Sequence, residues 1–253
     1  SELAIVQRIG VGLDNIAVEA VTARGAWVAN VPDYCVEEVS DHAVAMIMGW
    51  LRGIVPLDRE VKLGHWNPAA ARLRRAADLT VGILGFGRIG RASARKLSGI
   101  GMTVLAHDIA APAAPELARL VDMKELLVRS DIVLVHLPLT PDTEHLIDAD
   151  FMSQMRYGSL LVNVSRGPVV DNAALIWGLE EGPLAAAALD VVEGEPEPPQ
   201  ELVTRADVVA TPHVAFSSDA SLAELRQCSA EEVVRVLAGG APENPCNNPA
   251  DKG

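Results

Sequence analysis

Arginine, glutamate and histidine side chains follow three short apolar runs in the second half of the chain. Arg166 ends Asn-Val-Ser-Arg, Glu193 and Glu195 lie in Asp-Val-Val-Glu-Gly-Glu-Pro, and His213 ends Thr-Pro-His. If these runs are parallel strands, the side chains meet at the sheet edge that binds ligands. A guanidinium can bind a carboxylate through two hydrogen bonds, and an imidazole oriented by a carboxylate can move a proton near neutral pH. These residue types therefore favour acid–base chemistry on a carboxylic acid.

The other histidines and the cysteines have no comparable setting. No pair has the spacing of metal ligands, so we expect no metal. Three cysteines form neither a CxxC pair nor a disulfide framework, which favours a reducing cytoplasm. We expect packing or surface roles for His42, His65, His107, His136 and His145.

A glycine-rich sequence, Gly-Phe-Gly-Arg-Ile-Gly, follows an apolar run and precedes an amphipathic stretch. Gly85 permits a tight turn, Gly87 allows the backbone to approach a pyrophosphate, and Gly90 allows the helix to pack on the strand. The helix N-terminus attracts phosphate. Arg88, followed by Ile89 in the motif, could add an ion pair with the phosphate. The motif predicts a dinucleotide-binding loop.

Asp108 supports this interpretation, because it ends the next apolar run, 18 residues beyond Gly90. A carboxylate at this position can accept hydrogen bonds from both ribose hydroxyls of an adenosine and would repel the extra phosphate of NADP. The sequence therefore predicts NAD.

Apolar, β-branched runs alternate with helical stretches through the middle of the chain. This alternation predicts a parallel sheet covered on both faces. The predicted strands are 79–84, 103–107, 132–137, 160–164 and 208–210, the helices 88–98 and 171–181, and the loops 110–115 and 194–199.

The flanking segments have a different pattern. Apolar residues at helical spacing predict a helix over 36–51 that continues to Lys62, and a second helix over 218–237 that is capped by Ser217 or Ser218 and ended by glycine. We expect 241–253 to be a loose extension.

Composition limits the possible partners. The chain has 253 residues, 49% of them hydrophobic, and a net charge of −13. Such an acidic surface repels nucleic acid, and no apolar run is long enough to cross a membrane.

Together the motifs resemble those of the D-isomer-specific 2-hydroxyacid dehydrogenases. The likeness includes residues 8–15, 30–32 and 135–140 and covers essentially the whole chain. It is greatest to the branch that holds phosphoglycerate dehydrogenases and C-terminal-binding-protein corepressors. It implies an NAD-binding Rossmann domain, 51–213, with a doubly wound parallel sheet. This domain would be inserted into a smaller flavodoxin-like α/β substrate domain, 1–50 plus 214–253.

The resemblance also implies residue roles. His213 would be the catalytic acid–base residue, Glu195 rather than Glu193 its carboxylate partner, and Arg166 the third catalytic residue; Glu193 would be solvated. The substrate-binding residues would be Val11, Gly12 and Arg166. The cofactor-binding residues would be Gly85, Gly87, Arg88, Ile89, Gly90, Asp108, Leu137, Pro138, Thr140, Val164, Ser165 and Asp190.

The expected activity is hydride transfer between NAD and a D-2-hydroxy or 2-oxo acid of the phosphoglycerate, hydroxypyruvate, glyoxylate or lactate type. The flanks total only 90 residues, so we expect a substrate domain incomplete at its N-terminus. Two alternatives stay open: an NAD(H)-sensing corepressor-like scaffold, and a truncated NAD-binding protein with little activity. The resemblance and the apolar helix after residue 45 also predict a homodimer held through residues 45–75 and the cofactor domain.

Overall fold

The computed structural model describes residues 3–71, 73–110 and 116–249, so most of the loop expected at 110–115 and the end of the tail lie outside it. The chain divides into two compact units, Ser1–Glu38 with Phe216–Gly253, and Val39–Ala215. In chain order the strands and α-helices are β1 (Ile5–Gln7), α1 (Val18–Ala23), β2 (Trp27–Ala29), α2 (Val36–Leu51), α3 (Ile54–Lys62), β3 (Thr80–Leu84), α4 (Arg88–Gly99), β4 (Thr103–His107), β5 (Arg119–Leu120), α5 (Met123–Arg129), β6 (Ile132–Val135), α6 (Ala149–Ser153), β7 (Ser159–Asn163), α7 (Asn172–Glu180), β8 (Leu184–Leu189), α8 (Gln200–Val203), β9 (Val208–Ala210) and α9 (Asp219–Leu237).

The larger unit is a Rossmann-like α/β fold, as the sequence predicted. Its seven strands are parallel, in the order β5-β4-β3-β6-β7-β8-β9. Strands β6 and β7 are buried along their whole length because they lie inside the sheet. The strand order reverses between β3 and β6, so ligands are expected at the carboxyl ends of these central strands.

The smaller unit contains a two-stranded parallel sheet, β1 and β2, with α1 as the connection between them. Helix α9 begins at a capping box in which Ser218 and Ser221 exchange side-chain and backbone hydrogen bonds. The expectation of a loose tail after residue 241 is wrong for its described part. Asn247 Oδ1 accepts from Val28 N at 2.6 Å, and Cys246 N donates to Val28 O at 2.7 Å, so the tail is bonded to β2.

The predicted continuous helix from residue 36 to Lys62 is also wrong. It is broken after Leu51, because Gly53 adopts a left-handed conformation with φ +59° before α3 begins. Glycine takes this conformation without the Cβ clash that other residues meet, and it commonly ends helices.

The units divide between residues 38 and 39 and between residues 215 and 216. The sequence had suggested divisions between residues 50 and 51 and between residues 213 and 214. Most of α2 belongs to the larger unit because its side chains bond α4 there. Lys96 Nζ lies 2.7 Å from Ser40 Oγ and 2.6 Å from Asp41 Oδ1. Among the described residues no helix is long and apolar enough to cross a membrane.

Candidate active site

The glycine-rich loop joins β3 to α4 and has the geometry of a dinucleotide cradle. Gly85 has φ +89°, and a Cβ on it would lie 2.7 Å from His136 O. A Cβ on Gly90 would lie 2.2 Å from Gly85 O, so only glycine allows this approach of helix to strand. Gly87 is exposed at the N-cap of α4, and no described atom lies within 4 Å of its Cβ position. The loop therefore has room for a pyrophosphate beside its backbone.

Asp108 directly follows β4, the neighbour of β3. Its Oδ2 accepts from Phe86 N at 2.7 Å, and its Oδ1 accepts from Ala110 N at 2.8 Å. The carboxylate therefore stabilises the glycine-rich loop in addition to standing at the position expected for ribose recognition. The loop and this carboxylate together fit NAD. Arg88 and Ile89, the first residues of α4, lie beside them.

Leu137, Pro138 and Thr140 form the turn after β6. Thr143 organises this turn: its Oγ1 donates to Pro138 O at 2.6 Å and accepts from Thr140 N at 2.8 Å. Because β6 lies next to β3 in the sheet, this turn and the glycine-rich loop follow neighbouring strand ends.

Asn163, the last residue of β7, shapes the turn that carries Arg166. Its Oδ1 accepts from Ser165 N at 3.0 Å and from Ser165 Oγ at 2.8 Å, and its Nδ2 donates to Arg166 O at 2.9 Å. The Arg166 guanidinium donates through Nη1 to Ser165 O at 2.8 Å. A Cβ on Gly167 would lie 2.4 Å from Val192 C, so this turn packs closely on the segment after β8. Val164 is buried within the turn.

Glu195 and His213 form a hydrogen-bonded pair. His213 Nδ1 lies 2.9 Å from Glu195 Oε1, and the two side chains are 42% and 37% exposed. His213 has φ +54°, a conformation that is uncommon for residues other than glycine. Its amide N donates to Asp190 O at 2.8 Å, which helps to hold this turn.

The buried carboxylate of Asp190 bonds the turn that contains His213. Oδ1 accepts from Thr211 Oγ1 at 2.6 Å and from Val214 N at 2.9 Å, while Oδ2 accepts from Ala215 N at 2.9 Å. Thr211 Oγ1 in turn lies 3.0 Å from His42 Nε2. Since the Thr211 hydroxyl donates to Asp190, it accepts from His42. His42, for which the sequence predicted a packing or surface role, thus bonds the threonine two residues before His213.

A cavity of about 520 Å³ opens beside the Glu195–His213 pair. Its polar lining comes from Asp190, Glu195, Thr211 and His213. Its apolar walls are formed by Val192, Pro196, Pro198, Val203, Ala210 and Pro212.

The sequence suggested that Glu193 would be solvated, but the structure shows it bonded to other residues. Its Oε1 lies 2.8 Å from His145 Nε2, and its backbone oxygen accepts from Asn172 Nδ2 at 3.0 Å. The hydrogen bond to Glu193 raises the pKa of His145, with smaller contributions from the charges of Glu193, Asp171 and Glu144. This pair links the segment after β6 to the loop that carries Glu195.

The remaining histidines differ in their surroundings. His136 follows β6 and bonds Ser93 Oγ through Nε2 at 2.9 Å; desolvation lowers the pKa of its imidazole to about 3. His107 bonds Val121 O, and His65 bonds Glu60 on the surface. The described part of the chain has no group of three or more His, Cys, Asp or Glu that could hold a metal ion.

Val11 and Gly12 lie in the smaller unit, in the loop that follows β1. Gly10, just before them, has φ +144° and a Cβ position 3.2 Å from Arg8 Cζ. Val11 and Gly12 are the residues of this unit for which the resemblance implies substrate binding.

Comparison with known proteins agrees with this geometry. Residues 44–215 match the family described as D-isomer specific 2-hydroxyacid dehydrogenase, NAD binding domain. A glyoxylate reductase of Korarchaeum cryptofilum is 38% identical over 97% of this chain and 76% of its own length. A D-3-phosphoglycerate dehydrogenase of Archaeoglobus fulgidus is 36% identical over 98% of this chain and 48% of its own length.

The solved structures give the same result. The crystal structure of D-lactate dehydrogenase from Aquifex aeolicus, complexed with NAD and lactic acid, matches with a TM-score of 0.87 and 30% identity, covering 94% of this chain and 77% of that one. The resemblance inferred from the sequence motifs is thus confirmed, as is NAD as the cofactor. The chain belongs to the D-isomer specific 2-hydroxyacid dehydrogenases, an NAD-binding family of oxidoreductases.

Proposed function

We propose that Arg166, Glu195 and His213 carry out the chemistry of an NAD-dependent interconversion of a small D-2-hydroxy acid and its 2-oxo acid. The observation that carries this proposal is the 2.9 Å hydrogen bond between Glu195 Oε1 and His213 Nδ1. A carboxylate that accepts from Nδ1–H fixes the ring and its tautomer. Nε2 is then the nitrogen that takes the substrate hydroxyl proton during oxidation and returns it during reduction.

Arg166 binds the substrate carboxylate in this proposal. Its turn is held by Asn163, and its guanidinium is oriented by the bond to Ser165 O. A guanidinium matches a carboxylate with two parallel N–H groups, which orients the acid as well as attracting it. In the smaller unit the backbone of Val11 and Gly12 offers amide donors to the same class of group.

The roles proposed for the cofactor-binding residues also follow from the geometry of their loops. Gly85, Gly87 and Gly90 accommodate the pyrophosphate, and Asp108 accepts from the adenosine ribose. When bound, NAD supplies the hydride acceptor for oxidation or the hydride donor for reduction. Leu137, Pro138, Thr140, Val164, Ser165 and Asp190 would line its path.

The substrate is a small 2-oxo acid: glyoxylate or hydroxypyruvate, which are named in relatives, or pyruvate or phosphohydroxypyruvate, the oxidised forms of the lactate and 3-phosphoglycerate that other relatives name. We also propose a homodimer, because large apolar side chains are exposed on and after α3, and a cytoplasmic location, because the three cysteines are thiols. The relatives reported above are named as reductases and dehydrogenases, which favours the enzyme over a scaffold.

Loss of NADH absorbance with each of these four acids tests the proposal. His213→Ala should lower turnover by about 10²- to 10⁴-fold while NADH affinity is retained. Arg166→Lys keeps the charge but loses the planar pair of donors, so KM for the acid should rise and turnover should fall. Wild-type turnover in a folded His213→Ala variant would overturn the assignment, and binding of NADH without reduction of any acid would favour the scaffold.

A further inference from the structure

The loop after β1 has an unusual set of hydrogen bonds, because four consecutive carbonyl oxygens each accept a bond from within the smaller unit. Arg8 supplies two of the donors and Asn30 a third. The bonds are Arg8 Nη1 to Ile9 O at 2.7 Å, Val31 N to Gly10 O at 3.1 Å, Asn30 Nδ2 to Val11 O at 2.7 Å, and Arg8 Nε to Gly12 O at 3.0 Å.

These bonds fix the direction of the amides as well. In a planar trans peptide the N–H points away from the carbonyl of the same peptide unit. Holding the carbonyls of Ile9, Gly10 and Val11 therefore directs the N–H groups of Gly10, Val11 and Gly12 away from the donors. Within the described ranges these three amides donate to no protein acceptor. Backbone amides that are not used within the fold can donate to an anion.

Arg8 and Asn30 occupy equivalent places in the small parallel sheet. Gln7 and Ala29 are paired across β1 and β2, and Arg8 and Asn30 are the next residues of the two strands. The guanidinium of Arg8 lies against Gly10, so that a Cβ there would be only 3.2–3.3 Å from its atoms. The two side chains thus reach the loop from the carboxyl edge of the sheet.

We propose that Arg8 and Asn30 are positioning residues that hold the amides of Val11 and Gly12 ready for the carboxylate of the substrate. They do so by binding the loop carbonyls. This inference rests on the proposed function, because it takes the ligand to be the carboxylate of a 2-hydroxy or 2-oxo acid. In this inference the two side chains fix the conformation of the loop and do not themselves touch the substrate.

The test measures carboxylate binding separately from turnover. Oxamate, an unreactive carboxylate, is titrated into the NADH-bound protein while cofactor fluorescence is followed, and KM and kcat are measured for the best 2-oxo acid. Arg8→Met removes both guanidinium donors, Asn30→Asp replaces an N–H₂ by an acceptor at the same place, and Arg24→Met is the matched control, since Arg24 is exposed in the same unit.

We expect Arg8→Met and Asn30→Asp to raise the oxamate Kd and the KM about tenfold or more, with kcat changed far less. NADH affinity and the thermal midpoint should stay near wild type, and Arg24→Met should change nothing. Arg8→Lys can bond only one carbonyl, so its oxamate Kd and KM should lie between those of the wild type and of Arg8→Met. If Arg8→Met does not fold, the oxamate Kd of Arg8→Lys tests the role of Arg8 instead.

Two results would overturn the inference: oxamate binding that is unchanged in the folded variants, or a wild-type protein that binds no oxamate. Failure of the proposed function has a different signature. In that case oxamate binds in an Arg8-dependent way, but no 2-oxo acid is reduced or His213→Ala leaves turnover intact.

Discussion

Thr211 donates its hydroxyl proton to the buried carboxylate of Asp190, with Oγ1 and Oδ1 2.6 Å apart. The same oxygen of Asp190 accepts from Val214 N, one residue beyond His213. One oxygen of Asp190 therefore holds the chain on both sides of His213: it bonds the side chain of Thr211, two residues before, and the backbone amide of Val214, one residue after. This arrangement stabilises the left-handed turn at His213 and directs its imidazole toward Glu195.

Thr211→Val should keep the shape of the side chain and remove this donor. We expect a loss of about 1–3 kcal/mol in stability, because the buried carboxylate loses a partner, and a kcat lower by about 10- to 100-fold, because His213 is less well placed. Thr211→Ser should restore both, and Thr103→Val, at an exposed strand position, should change neither. Steady-state kinetics and urea unfolding measure these effects; an unchanged kcat in Thr211→Val would contradict the role.

Asp108 should determine the choice of cofactor. Asp108→Ala is expected to narrow the preference for NADH over NADPH by about tenfold or more, because the repulsion of a 2′-phosphate is removed. It should also weaken NADH binding, since Phe86 N loses its acceptor. Asp108→Asn retains an oxygen for that amide and should separate the two effects. Fluorescence titration with both cofactors is the measurement, and tighter binding of NADPH than of NADH by the wild type would refute the assignment.

Much of the candidate site was predictable in its geometry because its residues lie in short local motifs. The glycines at 85, 87 and 90 have backbone requirements that other residues do not meet, and Arg166, Glu195 and His213 each follow a strand. One local signal was overlooked: an asparagine at a strand end can bond its own backbone two residues on, as Asn163 does.

Other features depend on contacts between distant parts of the chain and had no local signal. His42 meets Thr211 across 169 positions, and Asn247 reaches Val28 across 219. The apolar pattern of α2 hid the break at Gly53, since periodicity reports which face is buried and not where the backbone turns.

The His145–Glu193 pair should make stability depend on pH. The pKa of His145 is raised in the folded state, so the pair stabilises the fold fully below the unfolded pKa of about 6.5, and this stabilisation is lost as pH rises through the folded pKa. Glu193→Gln should therefore lower the urea midpoint at pH 6 more than at pH 9. The effect should be small because both side chains are partly exposed. Glu201→Gln, at an exposed position of α8, is the control, and an equal loss at both pH values would contradict the prediction.

The exposed apolar side chains on and after α3 should form the contact of a homodimer. Ile54, Val61, Leu63 and Trp66 are 60%, 48%, 70% and 83% exposed, an apolar surface that is unfavourable in water. Light scattering should give about twice the chain mass of 26.8 kDa. Val61→Asp should shift the protein toward monomer, because it would bury a charge on each side of a two-fold interface. Val128→Asp, at an exposed valine of α5, should leave the dimer intact. A monomeric wild type at micromolar concentration, or an equal effect of the two substitutions, would rule out this interface.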